Sequence, residues 1–319
     1  MKRFRSLVLV PALVFCAAVA DAQTVTLRYR WTKGESRTYR MATETASDVS
    51  GMPEGRTTFT QSMSQVLKFT AEDVAADGTA TIRQTFQSLR MEGNGPMGKM
   101  LVDTAVPDTA TDSAARPMRQ VLDAMIGESV VIVTAPDGTI RRVEGASRIA
   151  EKIAHLADGD PAAGAAGQGI RRMLSEDALK STLEQTFPRL SAGPVAIGAG
   201  WTGQLAMGNE AIGRVAGTST FTLKAVEGAG AAQKARIAVG LTLKQEVVPT
   251  PSGPMRMVTT LRDNKGEGDI LFDVSRGHIQ RTTMRTEVAS TVTMNGPDGV
   301  PTTMQNKTTT TMTMELVEK

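Results

Sequence analysis

The sequence predicts an α+β chain that is mainly antiparallel β. It should have two related sheet halves forming one curved sheet or open half-barrel, with a helical insertion packed on the apolar face. Three observations predict this: apolar residues alternate with polar ones over long stretches, turn-forming residues separate those stretches, and a set of marks recurs about 170 residues further along the chain.

The alternation has a period of two. Phe59, Met63, Leu67 and Phe69 fall on one strand face, against Thr58, Thr60, Ser62, Ser64 and Lys68 on the other. Ala235, Ile237, Val239, Leu241 and Leu243 oppose Arg236, Thr242 and Lys244. Met284, Val288, Val292 and Met294 oppose Arg281, Arg285 and Glu287, and Met312, Met314 and Leu316 continue the habit. A strand that is apolar on one side only belongs to an antiparallel sheet with one face in a core. Gly, Pro, Asn and Asp mark the tips at Ser50–Gly55, Pro249–Pro254 and Asn295–Gly299, with shorter turns at Pro136-Asp137-Gly138 and Arg276-Gly277.

The recurring marks come in a shared order. Trp31 precedes Gly34, as Trp201 precedes Gly203; Thr58-Phe59-Thr60 matches Thr220-Phe221-Thr222. Asp77-Gly78 and Ala80-Thr81-Ile82 match Glu227-Gly228 and Ala235-Arg236-Ile237. The short hairpins that end in Ile140 and Ile279 form a third matching element.

Between the halves the period changes to that of helices. Pro117–Ile126 carries Met118, Val121, Leu122, Met125 and Ile126 at helical spacing, with Asp112 or Ser113 as its start. Ala146–Leu156 carries Ile149, Ile153 and Leu156. Asp158–Gly169 is rich in Gly and Ala and reads as a mobile loop. Ser175 is placed to cap a third helix with Leu179, Leu183 and Phe187, which Pro188 ends. The expected organisation is a signal peptide at 1–22, a first β half at 23–110, a helical insertion at 111–190 with a hairpin near 129–144, and a second β half at 191–319. Residues 23–319 would form one structural domain.

Lys2, Arg3 and Arg5, the apolar run Leu7–Ala20 and Ala20-Asp21-Ala22 have the three parts of a secretory signal. The expected location is therefore periplasmic or secreted, with cleavage after Ala22. Phe15 fills the place where a lipoprotein signal has a small residue before its Cys, so Cys16 reads as part of the signal. The mature chain then has no Cys, hence neither disulfide nor thiolate metal site. No other stretch is long and apolar enough to span a membrane. The 36 basic and 33 acidic residues fall to 33 and 32 once Lys2, Arg3, Arg5 and Asp21 are removed, a balance that gives no basis for nucleic-acid binding.

No catalytic set assembles. Gly93-Asn94-Gly95-Pro96-Met97-Gly98 fits a dinucleotide-binding expression but lacks the helix that must follow it. His155 and His278 have no G-x-S-x-G serine, and two distant histidines without Cys leave zinc unsupported. Asp103, Asp108 and Asp112 lack calcium-loop spacing. The abundant Met residues alternate with Thr and Ser as core residues do, which favours packing over copper ligation. Trp31 and Trp201 read as structural plugs at equivalent repeat positions.

The chain resembles a secreted bacterial family of unknown function, DUF6263. The resemblance rests on Trp31-x-x-Gly34, Tyr39-Arg40-Met41, Asp77-Gly78 with Ala80-x-Ile82, Pro194–Trp201, and Gly268–Asp273 followed by Gly277-His278-Ile279. It implies no activity and no site residues. The strand order also resembles that of periplasmic half-barrels that carry lipids and lipoproteins, a likeness of architecture alone.

These readings set the functional expectation. The chain should be a non-enzymatic envelope protein without metal or cofactor that binds an apolar ligand, such as a lipid or a lipidated protein, on the face holding Phe59, Met63, Ile237 and Leu241. A structural or protein-interaction module with a filled core, partnered by envelope proteins, is the second reading, and an unrecognised hydrolase is the third.

Overall fold

The computed structural model describes residues 24–52, 55–95, 98–107, 115–209, 213–246, 257–295 and 301–317. The expected export segment, Asp108, Asp112, Ser113 and the tips at 53–54, 247–256 and 296–300 lie outside them. The strands of the first half are β1 (Thr24–Val25), β2 (Ser36–Met52), β3 (Gly55–Val74), β4 (Ala80–Gly95), β5 (Gly98–Asp103), β6 (Ser129–Thr134) and β7 (Ile140–Glu144). Those of the second are β8 (Val195–Ala196), β9 (Gly200–Asn209), β10 (Gly213–Glu227), β11 (Lys234–Glu246), β12 (Met257–Asp273), β13 (His278–Asn295) and β14 (Pro301–Val317). The helices are α1 (Arg116–Met125), α2 (Ala146–Gly159), α3 (Pro161–Met173) and α4 (Glu176–Thr186).

Twelve strands make one antiparallel sheet in the order β7-β6-β4-β3-β2-β14-β13-β12-β11-β10-β9, with β5 on the outer part of β4; β1 and β8 form a separate pair. Followed from β9, the sheet is a continuous meander to β14 that carries on through β2 to β7. Both halves cross it in the same direction, β9-β10-β11-β12-β13 repeating the steps of β2-β3-β4-β6-β7. Ala80 and Ile82 on β4 and Ala235 and Ile237 on β11 are buried just past equivalent short turns.

Two of the expected repeat marks are not equivalent. Phe221 lies six residues before Glu227 and is 4% exposed, whereas Phe59 lies eighteen before Asp77, far out on β3, and is 38% exposed. Alternating sequence matches itself at any even offset, so Thr-Phe-Thr could recur without structural correspondence. Trp201 is inside β9, but Trp31 precedes β2, because residues 24–35 leave the sheet to cross its end. There the Tyr29 N–H donates to the Pro136 carbonyl at 2.7 Å and the Arg30 N–H to that of Gly277 at 2.9 Å. The short turns gather at this end, and the long hairpins project from the other.

The four helices pack on the apolar face. Buried Val121, Leu122 and Met125 of α1 and Ile149 and Ile153 of α2 line up at helical spacing. Residues 161–169 form the first turns of α3 instead of the loop expected from composition. The Asp160 carboxylate accepts from the N–H groups of Ala162 and Ala163, Pro161 opens the first turn, and alanines propagate the helix. Gly167 marks close packing, since a Cβ there would lie 2.6 Å from Ile153 of α2. Helix α4 starts where the Ser175 hydroxyl accepts from the Ala178 N–H at 3.3 Å. At its far end Phe187 meets the edges of Tyr29, Tyr39 and Phe69 at centroid distances of 6.3, 5.8 and 5.3 Å, each pair worth about 0.5–1.5 kcal/mol beyond burial. Helix α4 touches both β7 and β9, the outermost strands, and so lies over the seam where no ladder joins them.

Candidate functional site

Alternation decides which face a residue occupies, and register decides its neighbours. Chaining the registers shows that the inner face is layered in lateral rows. One row starts at Met91 on β4, pairs it with Met63 on β3 and passes to Thr43 on β2. It continues through Met312, Met284, Gly268, Val239, Phe221 and Trp201 on successive strands of the second half. The row nearer the closed end holds Met41, Met314, Thr282, Ile270 and Ile237, all buried. The row on the opposite side is small and hydroxylated: Thr45, Thr310 and Thr286 lead to Gly266, Leu241 and Ser219. Thr45 and Thr310 place their hydroxyls 3.4 Å apart.

A cleft of about 120 Å³ opens where the second half of the thioether row passes beneath α4. Phe221, Val239, Ile270, Met284 and Met312 make its floor, with Thr282 and Thr283 beside them. Gly203, Gln204 and Ser219 form one wall, and Glu184, Gln185, Pro188 and Arg189 form the roof and mouth. Gly268 lies between Met284 and Val239 in the row; a Cβ there would lie 2.2 Å from the Thr283 carbonyl oxygen and 3.0 Å from the Met284 sulfur. An apolar cavity of about 150 Å³ holds one benzene ring. The cleft therefore suits a single ring or a short run of methylenes, and it is too small for a two-chain lipid.

The mouth is rigidly built. The Trp201 ring stacks on Phe221 at 5.3 Å with 16° between planes, and its Nε1–H donates to the Arg189 carbonyl at 2.9 Å. The Tyr29 hydroxyl donates to the Pro188 carbonyl at 3.1 Å, and the Leu190 N–H to the Asp137 carbonyl at 2.8 Å. Three consecutive residues after α4 are thus tied to the closed-end strap, to β9 and to the β6–β7 turn. Arg189 pairs with Asp137 at 3.6 Å. Burial opposes the Asp137 charge, but the Thr139 N–H and Arg189 outweigh it and hold the carboxyl below its usual range.

A second polar centre sits at the closed end, beside a cavity of about 30 Å³, room for one or two waters. Arg37 is buried, lies 4.0 Å over the Trp31 ring, and donates from Nε to Glu35 at 2.7 Å. His278, 4% exposed, has no hydrogen-bond partner at either ring nitrogen. Burial, followed by the Arg37 charge, pushes its pKa down. Tyr39, which donates to the Ile279 carbonyl at 3.0 Å, has its pKa pushed up by burial.

The structure does not gather the four residues expected to form one ligand-binding face. Neither Ile237 nor Leu241 lines the cleft: Ile237 is fully buried beside Ile270 of its floor, and Leu241 stands beside Ser219 of its wall, over Gly266. Val239, between them on the same face, is the residue that lines the floor. Phe59 and Met63 are on β3, with β2, β14, β13 and β12 between them and β11, a lateral separation of about 24 Å. The signal for the cleft was in the sequence at Trp201 and Phe221, but without register it could not be joined to Met284 and Met312. Among the described residues no group of three or more His, Cys, Asp or Glu is placed to hold a metal ion, and no helix is long and apolar enough to cross a membrane.

A family model described as "Family of unknown function (DUF6263)" matches residues 77–296, more than half of the chain. No curated protein matches the sequence. Among solved structures, one described as showing lipid–protein interactions in lipovitellin has 8% identity and a TM-score of 0.48, covering 91% of this chain and 26% of that one. This chain thus spans about a quarter of the lipovitellin chain. DynF from the dynemicin biosynthesis pathway of Micromonospora chersina has 9% identity and a TM-score of 0.20, covering 92% of this chain and 85% of its own. OpdK of Pseudomonas aeruginosa, solved with vanillate, has 5% identity and a TM-score of 0.15, covering 89% and 99%. At these scores none of the three carries a functional argument.

Proposed function

We propose, for a chain that belongs to the DUF6263 family of unknown function, a non-catalytic binding role in the cell envelope. The ligand is slender and apolar, one acyl chain or one ring, held in the cleft between α4 and the second half of the sheet. The observation that carries this reading is the cleft's build: a floor of thioether, aliphatic and aromatic groups beside Thr282 and Thr283, charged and amide groups at the rim, and a roof fixed by hydrogen bonds. Concave apolar sites with few convergent polar groups are where small ligands bind. Methionine suits a flexible guest because its unbranched thioether adapts to irregular shapes. The envelope location rests on the export pattern of Lys2, Arg3, Arg5 and Ala20-Asp21-Ala22.

Native mass spectrometry after gentle purification, followed by displacement of a fluorescent single-chain fatty acid, tests this. The wild-type protein should retain or take up one chain. Val239→Trp fills the floor and should lower affinity by about tenfold or more, equivalent to about 1.4 kcal/mol. Phe59→Ala, in the other half, should leave uptake unchanged. A protein that never takes up a chain, or a Val239→Trp variant that binds as well as wild type, overturns the reading.

A further inference from the structure

We infer that the cleft selects a single-chain amphiphile with a zwitterionic head, an anionic group against Arg189 and a cationic group against Glu184. The inference rests on the binding role proposed for the same cleft and names its ligand class. Arg189 and Glu184 line one mouth, yet no ion pair joins them among the described residues. Instead Arg189 leans on Asp137 at 3.6 Å, beyond hydrogen-bonding distance, with its side chain 60% exposed. Its guanidinium keeps donors for a second anion, and a guanidinium recognises a carboxylate or phosphate through paired donors.

Both charges are presented by backbone that cannot easily move. Glu184 stands on the last turn of α4, and the Phe187 N–H bonds the Leu183 carbonyl at 2.7 Å beside it. Arg189 is held through its own carbonyl by Trp201, the residue whose ring stacks on the floor's Phe221. Head recognition and chain binding are therefore linked through one side chain. A purely anionic guest would meet Glu184, and a purely cationic one would meet Arg189. A head with both signs meets neither repulsion. Gln185 and Gln204 at the same mouth suit the polar atoms between the two charges.

The test compares four probes with equal short chains, each below its micelle concentration: hexanoyl lysophosphatidylethanolamine, hexanoic acid, hexylamine and hexanol. Phosphoethanolamine alone shows whether the head binds without the chain. Wild type should bind the zwitterion about tenfold more tightly than the alcohol, about threefold from each charge, as exposed ion pairs supply. Phosphoethanolamine alone should bind too weakly to compete. Arg189→Gln should lower affinity for the zwitterion and raise it for hexylamine; Glu184→Gln should do the reverse, favouring hexanoic acid. Hexanol should be indifferent to both changes, which also reports that the variants remain folded. If all four chains bind equally, or the ranking survives both substitutions, the head-group inference falls while the binding role stands. If phosphoethanolamine competes as well as the chain-bearing probe, the site is polar and the inference is overturned. If none of the chains binds, the binding role falls first and the inference falls with it.

Discussion

The two halves of the sheet follow one meander, but along one lateral row the first half is filled at β4, where Met91 is buried, and the second borders a cleft at β13 and β14, where Met284 and Met312 are part-exposed. On the first half Met91 is 7% exposed, packed beside Val102 of β5 and under the helices. On the second half Met284 and Met312 look into the cleft. The difference lies between the third and fourth strands of each repeat. In the first half β4 and β6 are separated by β5 and α1, whose Val102, Leu122 and Met125 fill the space over the row. In the second half β11 leads to β12 with no described helix between them, and only α4 leans across from the seam. The extra elements of the first half thus cover Met91, while Met284 and Met312 of the second half border the cleft.

The largest expected effect comes from emptying the filled half. Leu122→Ala, at a fully buried position on α1, should cost about 2–5 kcal/mol, because the tightly packed surroundings cannot collapse around the lost volume. Val239→Ala, on the cleft floor, should cost about 1–2 kcal/mol, since it removes two carbons where Leu→Ala removes three and Val239 borders the cleft. Urea unfolding monitored by circular dichroism gives both numbers. Equal costs would mean that the second half is as well filled as the first, and the contrast between them would disappear.

Sequence pattern made the faces legible but not the rows. The one-sided alternation of Ala235 to Leu243 placed Ile237, Val239 and Leu241 on the core side, and the structure agrees. Which of these meets Phe221 or Met284 depends on where each hairpin turns, and β11 and β12 are joined through residues 247–256, rich in Pro and without the Asn-Gly or Asp-Gly pair that fixes a two-residue hairpin. A shift of two residues keeps the face and changes every neighbour. The repeat was legible where it is pinned by a turn, at Asp77-Gly78 and Glu227-Gly228, and misleading where it rested on Thr-Phe-Thr alone. Helix α3 was hidden by its glycines, which weaken helix propensity but let it sit against Ile153. The roof was out of reach for another reason: that Arg189 and Glu184 share a mouth depends on α4 crossing the seam between β7 and β9, a long-range contact with no local signature.

A smaller effect sharpens the contrast at the closed end, where the first half's short turn leads into Thr139-Ile140 and the second's into His278-Ile279. Around His278 stand the buried Arg37, its partner Glu35, and Asp273 and Arg276 of the adjoining turn. The imidazole's pKa is lowered in the folded state, so over the affected range the folded protein binds fewer protons than the unfolded chain. The stability of neutral His278 is complete above the ordinary value of 6.5 and is lost as pH falls from there toward the depressed folded value. Urea midpoints measured from about pH 8 to about pH 5 should fall on the acid side. His278→Thr, which copies the first half, and His278→Gln should both flatten that limb even where they lower overall stability. An unchanged slope in both variants would show that His278 is not the titrating group.

The smallest effect compares methionines on a single sheet face. Met41 and Met314 are cross-strand partners, 6% and 0% exposed, one row below the cleft. Met284 and Met312 are partners in the row above, part-exposed on the cleft floor. Peroxide converts an accessible thioether to a sulfoxide, whereas a buried one must wait for the structure to open. Peptide mapping after brief treatment should show Met284 and Met312 oxidising roughly tenfold faster than Met314, and Met91, their counterpart in the filled half, protected like Met314. A bound single-chain amphiphile should slow the cleft pair alone, because it covers those sulfurs without touching the row beneath. If Met91 and Met284 react at one rate, access to the thioether row does not differ between the halves, and the hollow would then be a feature of one static arrangement that the protein in solution does not keep.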